Sequence, residues 1–487
     1  MALSVNRVLD PEPCPSLAEY VAAGGGRGLL NAQRIGGSAV IQLLEDAGLR
    51  GRGGAGFPTF KKWQTVVNNQ ADGESTPVLI NAAEGEPSTF KDHAIVRNNP
   101  YRVLEGALIG CQVVNASKLV ICAKSTSDVE WERIDEAVKE MKLAGWTDGV
   151  EVVYVAGPSA YLFGEETAML EVVEHRQPFP RVTPPWRRGV DEATDQQNPA
   201  SLTALATTQG QGSAPALVNN VETFAQVALI VTHGAGWFRE HGTIESPGTT
   251  VCTVVGDVQR HAVGEFPLGT PLLDVITELT GGPFPGRELV AVLPGASSAV
   301  VAAEHFDTPL TIESFALIGS SIGSCGFYCI DDQTDLDFVA YSLSRFLSVE
   351  SCGQCVPCKE DGLAITEILL ARLNGTADAD LDEQLVARLS TVADQARCSL
   401  ALQQQVATGS MIDLCRRLGS ATKADSSTAS SVLPILDLFE GVAVSDESNL
   451  TKQPDWSHNP VDSGRFPAQL LQDTPIDIEP LIRSHRA

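Results

Sequence analysis

Cys352, Cys355 and Cys358 stand in the run SCGQCVPCKEDG, and this C-x2-C-x2-C spacing constrains the chain more than any other feature. It puts three thiols around one tight turn, which suits three corners of a cubic iron–sulfur cluster. Structural zinc usually takes two separated C-x2-C pairs. A disulfide cannot use three neighbouring thiols, and the eleven cysteines of this 487-residue chain read as reduced rather than as a disulfide framework. A [4Fe–4S] cluster needs a fourth ligand, and two downstream cysteines compete for it. Cys415 stands with Met411, Ile412 and Leu418 at helical spacing and reads as a core residue. Cys398 follows an amphipathic helix, where a helix end can meet the first loop, and it is the choice here.

Upstream, strands and helices alternate. Pro77–Asn81, Lys118–Ala123 and Val150–Ala156 read as strands, Tyr101–Val114, Val129–Met141 and Glu165–His175 as helices. That order predicts a parallel sheet with helical crossovers. Asn219–Gly234 reads as one helical stretch, and residues 187–214, rich in Gln, Thr and Gly, as an exposed loop. From Thr249 the texture changes to short β-like runs around one helix, and residues 334–420 are helical. The expected fold is α/β and multi-domain: a Rossmann-like unit over 1–245, a small α+β unit over 246–333, a helical bundle over 334–420 and an extended acidic tail over 421–487. Lys423–Ser431 reads as a linker by composition.

The loop Gly51-Arg52-Gly53-Gly54-Ala55-Gly56 satisfies G-x-G-x-x-G. In the dinucleotide fingerprint that loop follows a strand and opens a helix. Here it follows a helix, and Phe57-Pro58 comes next, so the usual reading fails on context. The physics of the loop still holds, because glycines let backbone N–H groups approach a phosphate or flat ring closely. Arg52, Lys61 and Lys62 add positive charge nearby. Two strand-end loops each carry a pair of carboxylates, Glu84 with Glu86 and Glu165 with Glu166. In open α/β sheets the strand C-termini line the ligand crevice, where carboxylates can bind sugar hydroxyls or a nucleotide carboxamide. Stabilisation of Glu165 and Glu166 by a helix dipole is an equally good account of that pair.

With 61 acidic against 34 basic residues, the formal charge of −27 argues against direct contact with nucleic acid or an anionic membrane. No apolar run approaches the ~20 residues of a membrane helix. The N-terminal residues MALSVNRVLDPEP have no apolar h-region. A cytoplasmic chain is the expectation, reaching the inner face of a membrane only through partners.

Five segments, RGRGGAGFPT (50–59), EGEPSTFKD (84–92), AYLFGEETAM (160–169), NNVETF (219–224) and ESCGQCVPCKEDG (350–362), occur in an order that resembles the NADH-binding flavoprotein subunit of respiratory complex I. The same family includes the diaphorase subunits of NAD-linked hydrogenases and formate dehydrogenases. The resemblance implies a Rossmann-like flavin domain, a ubiquitin-like domain and a helical bundle carrying [4Fe–4S]. It implies that Gly51, Arg52, Gly53, Gly54, Gly56 and Lys62 face FMN, with Asn81, Glu84, Gly164, Asn219, Asn220 and Thr223 completing the site. Phe57 would stack near NAD(H), Glu86, Glu165 and Glu166 would border the nicotinamide, with Glu86 and Glu166 the candidate catalytic pair, and Cys352, Cys355, Cys358 and Cys398 would hold the cluster. The activity implied is hydride transfer between NADH and FMN, followed by one-electron transfer to the cluster. The partners implied are a small thioredoxin-like [2Fe–2S] subunit and a larger iron–sulfur subunit.

The chain departs from the family pattern at Ala83, where an acid is usual, at Thr183, where a lysine is usual, at Thr65, which lies near an aromatic position, and at Val349, where a histidine is common. Residues 187–213 are longer than the family norm, and the tail is extra. A relay subunit of the same fold, without the nucleotide step, is the alternative these departures allow.

Overall fold

The computed structural model of the chain describes residues 3–71, 75–189, 214–419, 435–446, 448–461 and 463–476. The Gln/Thr/Gly-rich loop and the linker expected around 187–214 and 423–431 lie largely or wholly outside them. Four parallel strands, β1 (Val78–Ala82), β2 (Lys118–Lys124), β3 (Glu151–Gly157) and β4 (Leu217–Asn220), form a sheet in the order β3-β2-β1-β4. The order reverses at β1, so the loops after β1 and β4 diverge there and leave a crevice at the strand C-termini. The expectation of one helix over Asn219–Gly234 is corrected. Its first two residues belong to β4, which pairs with β1 through Leu79↔Val218 and Asn81↔Asn220, and the helix runs Val221–His233. Four residues are too few for strand alternation to show in sequence.

Apolar positions at helical spacing explain what backs this sheet. In the helix Pro100–Val113, Val103, Leu104, Ala107, Leu108 and Cys111 are buried. Gly106 lets it cross the helix Val221–His233 closely: a Cβ there would sit 1.9 Å from the Phe224 carbonyl oxygen. The core continues through the fully buried Trp63 on the helix Thr59–Asn68.

The second sheet contains β5 (Thr249–Gly256), β6 (Ala262–Pro267), β7 (Leu289–Pro294), β8 (Val301–Ala302) and β9 (Gly326–Asp331), ordered β6-β5-β9-β7-β8. Its first and last strands, β5 and β9, lie parallel at the centre, and the outer pairs are antiparallel. With the helix Leu272–Thr280 between β6 and β7, this is the ubiquitin-like β-grasp arrangement. One face of it shares an apolar core with the helices Leu336–Glu350 and Val356–Leu373, through Leu293, Tyr328, Ile330, Leu343, Leu347 and Ile365.

The acidic tail departs from its expected extended form. Residues 435–445 make an antiparallel hairpin, β10 (Ile435–Phe439) with β11 (Val442–Ser445). The hairpin is held on the body by Arg97 with Asp437 (2.9 Å) and by the Ala443 N–H donating to His261 Nδ1 (2.8 Å). Polar pairing of single residues, which composition does not reveal, supplies what the tail lacks in apolar periodicity.

Candidate functional site

The chain between Leu336 and Leu418 builds a thiol-lined cavity. Asp335 caps the first helix by accepting from the Asp337 and Phe338 N–H groups (3.0 and 3.4 Å). After that helix ends at Glu350, a turn through Gly353 at φ 79° brings Cys355 to the N-cap of the next one. Cys358 therefore lies in that helix's first turn, where exposed N–H groups and the dipole favour an anionic cluster. Cys398 reaches the same place just before Leu400–Gln403, a helix that passes into a π-turn at Gln404–Thr408. Cys352, Cys355, Cys358 and Cys398 all line one cavity. Cys415 lies apart in the core of the helix Gly409–Leu418.

Donors already point at these sulfurs. Ser351 Oγ lies 3.3 Å from Cys358 Sγ, Gln354 Nε2 donates to Cys352 Sγ (3.5 Å), and the Arg397 N–H donates to Cys355 Sγ (3.4 Å). Hydrogen bonds to sulfur of this kind orient ligands and tune a cluster's potential. Burial pushes the Cys358 thiol up to about 11 and raises Cys352 and Cys398 as well. Metal loading must overcome that cost and release the protons. Among the described residues no three His, Cys, Asp or Glu side chains stand close enough to share one metal ion. A cubic cluster, with thiolates at its corners, spaces its ligands more widely than a single ion does. The donor set and cavity fit [4Fe–4S].

The glycine loop closes on itself through an antiparallel bridge between Arg50 and Pro58 and a 2.8 Å bond from Gly51 N–H to the Phe57 carbonyl. The Arg52 N–H is taken by Thr223 Oγ1 (2.9 Å). The N–H groups of Gly53, Gly54 and Ala55 have no acceptor among the described residues, and the loop is open to solvent at Gly53 and Ala55. Gly54 holds φ 109°, which a side chain would strain. Exposed, unpartnered N–H groups on a glycine turn fit a phosphate.

Several expected site residues point elsewhere. Arg52 is 7% exposed and turns inward, its guanidinium donating to the Thr249 carbonyl (3.0 Å) beside Glu222 (3.7 Å), so its charge does not reach the loop's open side. Lys62 pairs with Glu166 and donates to the Val218 carbonyl. Glu165 is the N-cap of Glu166–Val173, accepting from the Thr167 and Ala168 N–H groups, as the helix-dipole account anticipates. Glu84 caps Lys91–Asn98 by accepting from the N–H groups of Lys91, Asp92 and His93. Asn81 donates to the Gly164 carbonyl (2.8 Å), tying two strand-end loops together. Asn219 is buried between Trp63 Nε1 and the Val218 carbonyl. Asn220 caps the following helix and donates to Asp92 (2.6 Å). Glu86 faces Tyr161 and the β-grasp loop at Ala296 rather than open crevice.

Three groups missed in sequence stand out. Lys91, 1% exposed, contacts Asp92 (2.6 Å) and Glu222 (3.1 Å) and sits beside Asn220 (3.4 Å), forming a buried charged floor under the loop. These residues fall inside the quoted motifs, so the signal was present without a role. Trp186 stacks on the exposed Phe57 with ring centroids 6.4 Å apart and planes within 12°. Tyr161 and Leu162 carry the crevice toward the cysteines, and Leu162 and Pro180 line the thiol cavity itself.

The sequence profile of the Nuo51 FMN-binding domain matches residues 44–229, and that of the NADH-ubiquinone oxidoreductase-F iron–sulfur binding region matches 338–418. The F 2 subunit of the NADH-quinone oxidoreductase of Rhizobium meliloti (strain 1021) is 34% identical over 396 residues, covering 79% of this chain and 89% of that one. The chain belongs to the family of NADH-quinone oxidoreductase F subunits. Two further relatives are the corresponding F subunit of Streptomyces coelicolor, 33% identical over 79% of this chain and 82% of that one, and the NADP-reducing hydrogenase subunit HndC of Solidesulfovibrio fructosivorans, 32% identical over 80% and 77%. Among solved structures, an NAD+-reducing [NiFe]-hydrogenase in the H2-reduced state superposes with a TM-score of 0.70 at 29% identity, covering 83% of this chain and 66% of that chain. This chain thus spans about two thirds of that hydrogenase chain. FMN and a [4Fe–4S] cluster are the cofactors of the family's two matched regions.

Proposed function

We propose that the chain is the electron-input subunit of a multi-subunit redox complex, an NADH:acceptor oxidoreductase. The chemistry its cofactors supply when bound is hydride transfer between NADH and flavin and one-electron transfer between flavin and cluster. The chain's residues bind, orient and insulate. Gly53, Gly54 and Ala55 offer N–H groups to the flavin phosphate, and Lys91 with Asp92 and Glu222 keeps the floor beneath them rigid. Phe57 and Trp186 present a flat aromatic surface for the nucleotide. Glu166, neutralised in part by Lys62, borders the donor side. Cys352, Cys355, Cys358 and Cys398 hold the cluster. Further members of the complex would be a small thioredoxin-like [2Fe–2S] subunit and a larger iron–sulfur subunit, in a cytoplasmic assembly. Among the described residues no helix is long and apolar enough to cross a membrane. The division at residues 245, 333 and 420 into flavin, β-grasp and cluster units fits the change of element type along the chain.

The observation that carries this reading is the shared wall. The thiol cavity is lined by Leu162 and Pro180, which lie beyond the C-terminal end of β3, so the sheet crevice and the cysteines are neighbours. The test is anaerobic addition of NADH to the purified protein. Bleaching of flavin absorbance followed by the electron-spin signal of a reduced cluster is expected. A bound flavin that NADH never bleaches would leave the relay reading in its place.

A further inference from the structure

Glu350 is 1% exposed and stands two residues before Cys352. Its carboxylate accepts from the Tyr161 N–H (2.9 Å), from Asn449 Nδ2 (3.2 Å) and from Lys452 Nζ (2.7 Å). The last two donors come from the tail, and Lys452 is itself 8% exposed. Three more tail contacts follow the cysteine turn. Trp456 Nε1 donates to the Val349 carbonyl (2.9 Å), the Ala468 N–H donates to the Cys352 carbonyl (2.8 Å), and Phe466 covers Gly353, where an added Cβ would lie 3.0 Å from the Phe466 Cα. Trp456 also packs on Phe179 at 5.8 Å, next to the cavity residue Pro180. The segment ends with the Ile476 N–H donating to the His175 carbonyl (3.1 Å), against the flavin sheet.

We propose that residues 449–461 and 463–476 form a built-in wall of the iron–sulfur site, and that Lys452 is a positioning residue that neutralises Glu350 beside the cluster. The inference rests on the cluster assignment above. The family profiles end at residue 418, so this wall is contributed by sequence outside them. Two physical consequences follow. Taking away the cation that Glu350 contacts directly makes the surroundings of the cluster more negative, with Lys124 and Lys359 left as its more distant cations, and that disfavours adding an electron. Removing Phe466 from Gly353 opens the cysteine turn to solvent and oxygen.

The test uses the full-length protein, purified anaerobically, with iron and sulfide content, air-bleaching rate, cluster midpoint potential and thermal unfolding measured on each form. Lys452→Met is expected to move the potential to more negative values. Lys452→Arg should keep the wild-type value, and Glu350→Gln combined with Lys452→Met should return toward it. Phe466→Ala should be purified with full iron yet bleach several-fold faster in air, with little change in unfolding temperature. If Lys452→Met arrives without iron, Lys452→Arg and Phe466→Ala decide: an Arg variant that also lacks iron, or wild-type bleaching in Phe466→Ala, overturns the proposal. Full iron with wild-type potential and bleaching in every variant overturns the wall alone. Wild-type protein devoid of iron and sulfide overturns the cluster assignment and the wall together.

Discussion

The Tyr161 hydroxyl lies 2.5 Å from Glu86 Oε2, while Glu86 Oε1 accepts the Ala296 N–H at 2.7 Å. One carboxylate thereby joins the loop after β1, the turn after β3 and the β-grasp loop after β7. Tyr161 extends the link, its hydroxyl reaching Gln403 (3.2 Å) beside the π-turn and its ring meeting Phe346 edge-on at 5.2 Å. The sheet crevice and the cluster helices are thus fastened together through Glu86, Tyr161 and Gln403.

Tyr161→Phe should weaken that fastening. Removing a donor to a buried carboxylate costs about 1–3 kcal/mol, read as a lower denaturant midpoint. Burial already raises the Glu86 carboxyl above its usual value, and the Tyr161 hydrogen bond opposes the rise. Loss of the bond raises it further. A carboxyl raised in the folded state holds its proton more tightly folded than unfolded, so stability is lost as pH rises. The variant's deficit should therefore grow from acidic to neutral pH, and a deficit independent of pH would count against this account.

Cys398→Ala should lose the cluster and Cys415→Ala should keep it, scored by iron per chain and by the reduced-cluster spin signal. Four irons per wild-type chain are expected for a cluster with four cysteine ligands. The cavity contains Cys398, whereas Cys415 is enclosed in the bundle core. A full cluster in Cys398→Ala would refute the assignment.

Glu166→Gln should alter NADH kinetics while flavin content holds, because the open N–H groups of the glycine loop are untouched and Lys62 keeps the Val218 carbonyl. Gly54→Val should instead lose flavin, since φ 109° is closed to a β-branched residue. Released-flavin fluorescence and steady-state KM separate the two. Equal flavin loss in both variants would sink the assignment of Glu166 to the donor side.

How much of this was legible in sequence depended on whether a signal was local. The C-x2-C-x2-C turn, the helix faces of 101–114 and the strand 118–123 are local patterns, and the fold follows them. Arg52 misled, because nothing in RGRGGAG says that its side chain turns back onto Glu222, far downstream in the chain. Glu86 misled in the same way: its partners are far along the chain, Tyr161 after β3 and Ala296 in the β-grasp unit. The short strand β4 lacked the length for a period. The tail showed no periodicity because single anchors hold it, polar ones such as Lys452 and Asp437 and apolar ones such as Trp456. Its docking is therefore a tertiary property.

Glu84 carries the sharpest pH prediction. Its carboxyl is pushed up to about 7, first by burial and second by Asp92, against the opposing pull of His93, Lys91 and the N–H of His93. The unfolded carboxyl returns to its ordinary value of 4.5. Between those two values the folded chain binds more protons than the unfolded one, so stability falls as pH rises through that window and levels off above it. Glu84→Gln abolishes this titration. At the acidic end it replaces one neutral cap on Lys91–Asn98 by another of similar shape, so little is lost there. The variant should match wild type at the acidic end and become the more stable of the two as pH rises through the window. Thermal unfolding at a series of pH values measures both slopes. Parallel curves for the two proteins would show that Glu84 is ionised throughout, held by its three N–H donors, and would overturn the argument.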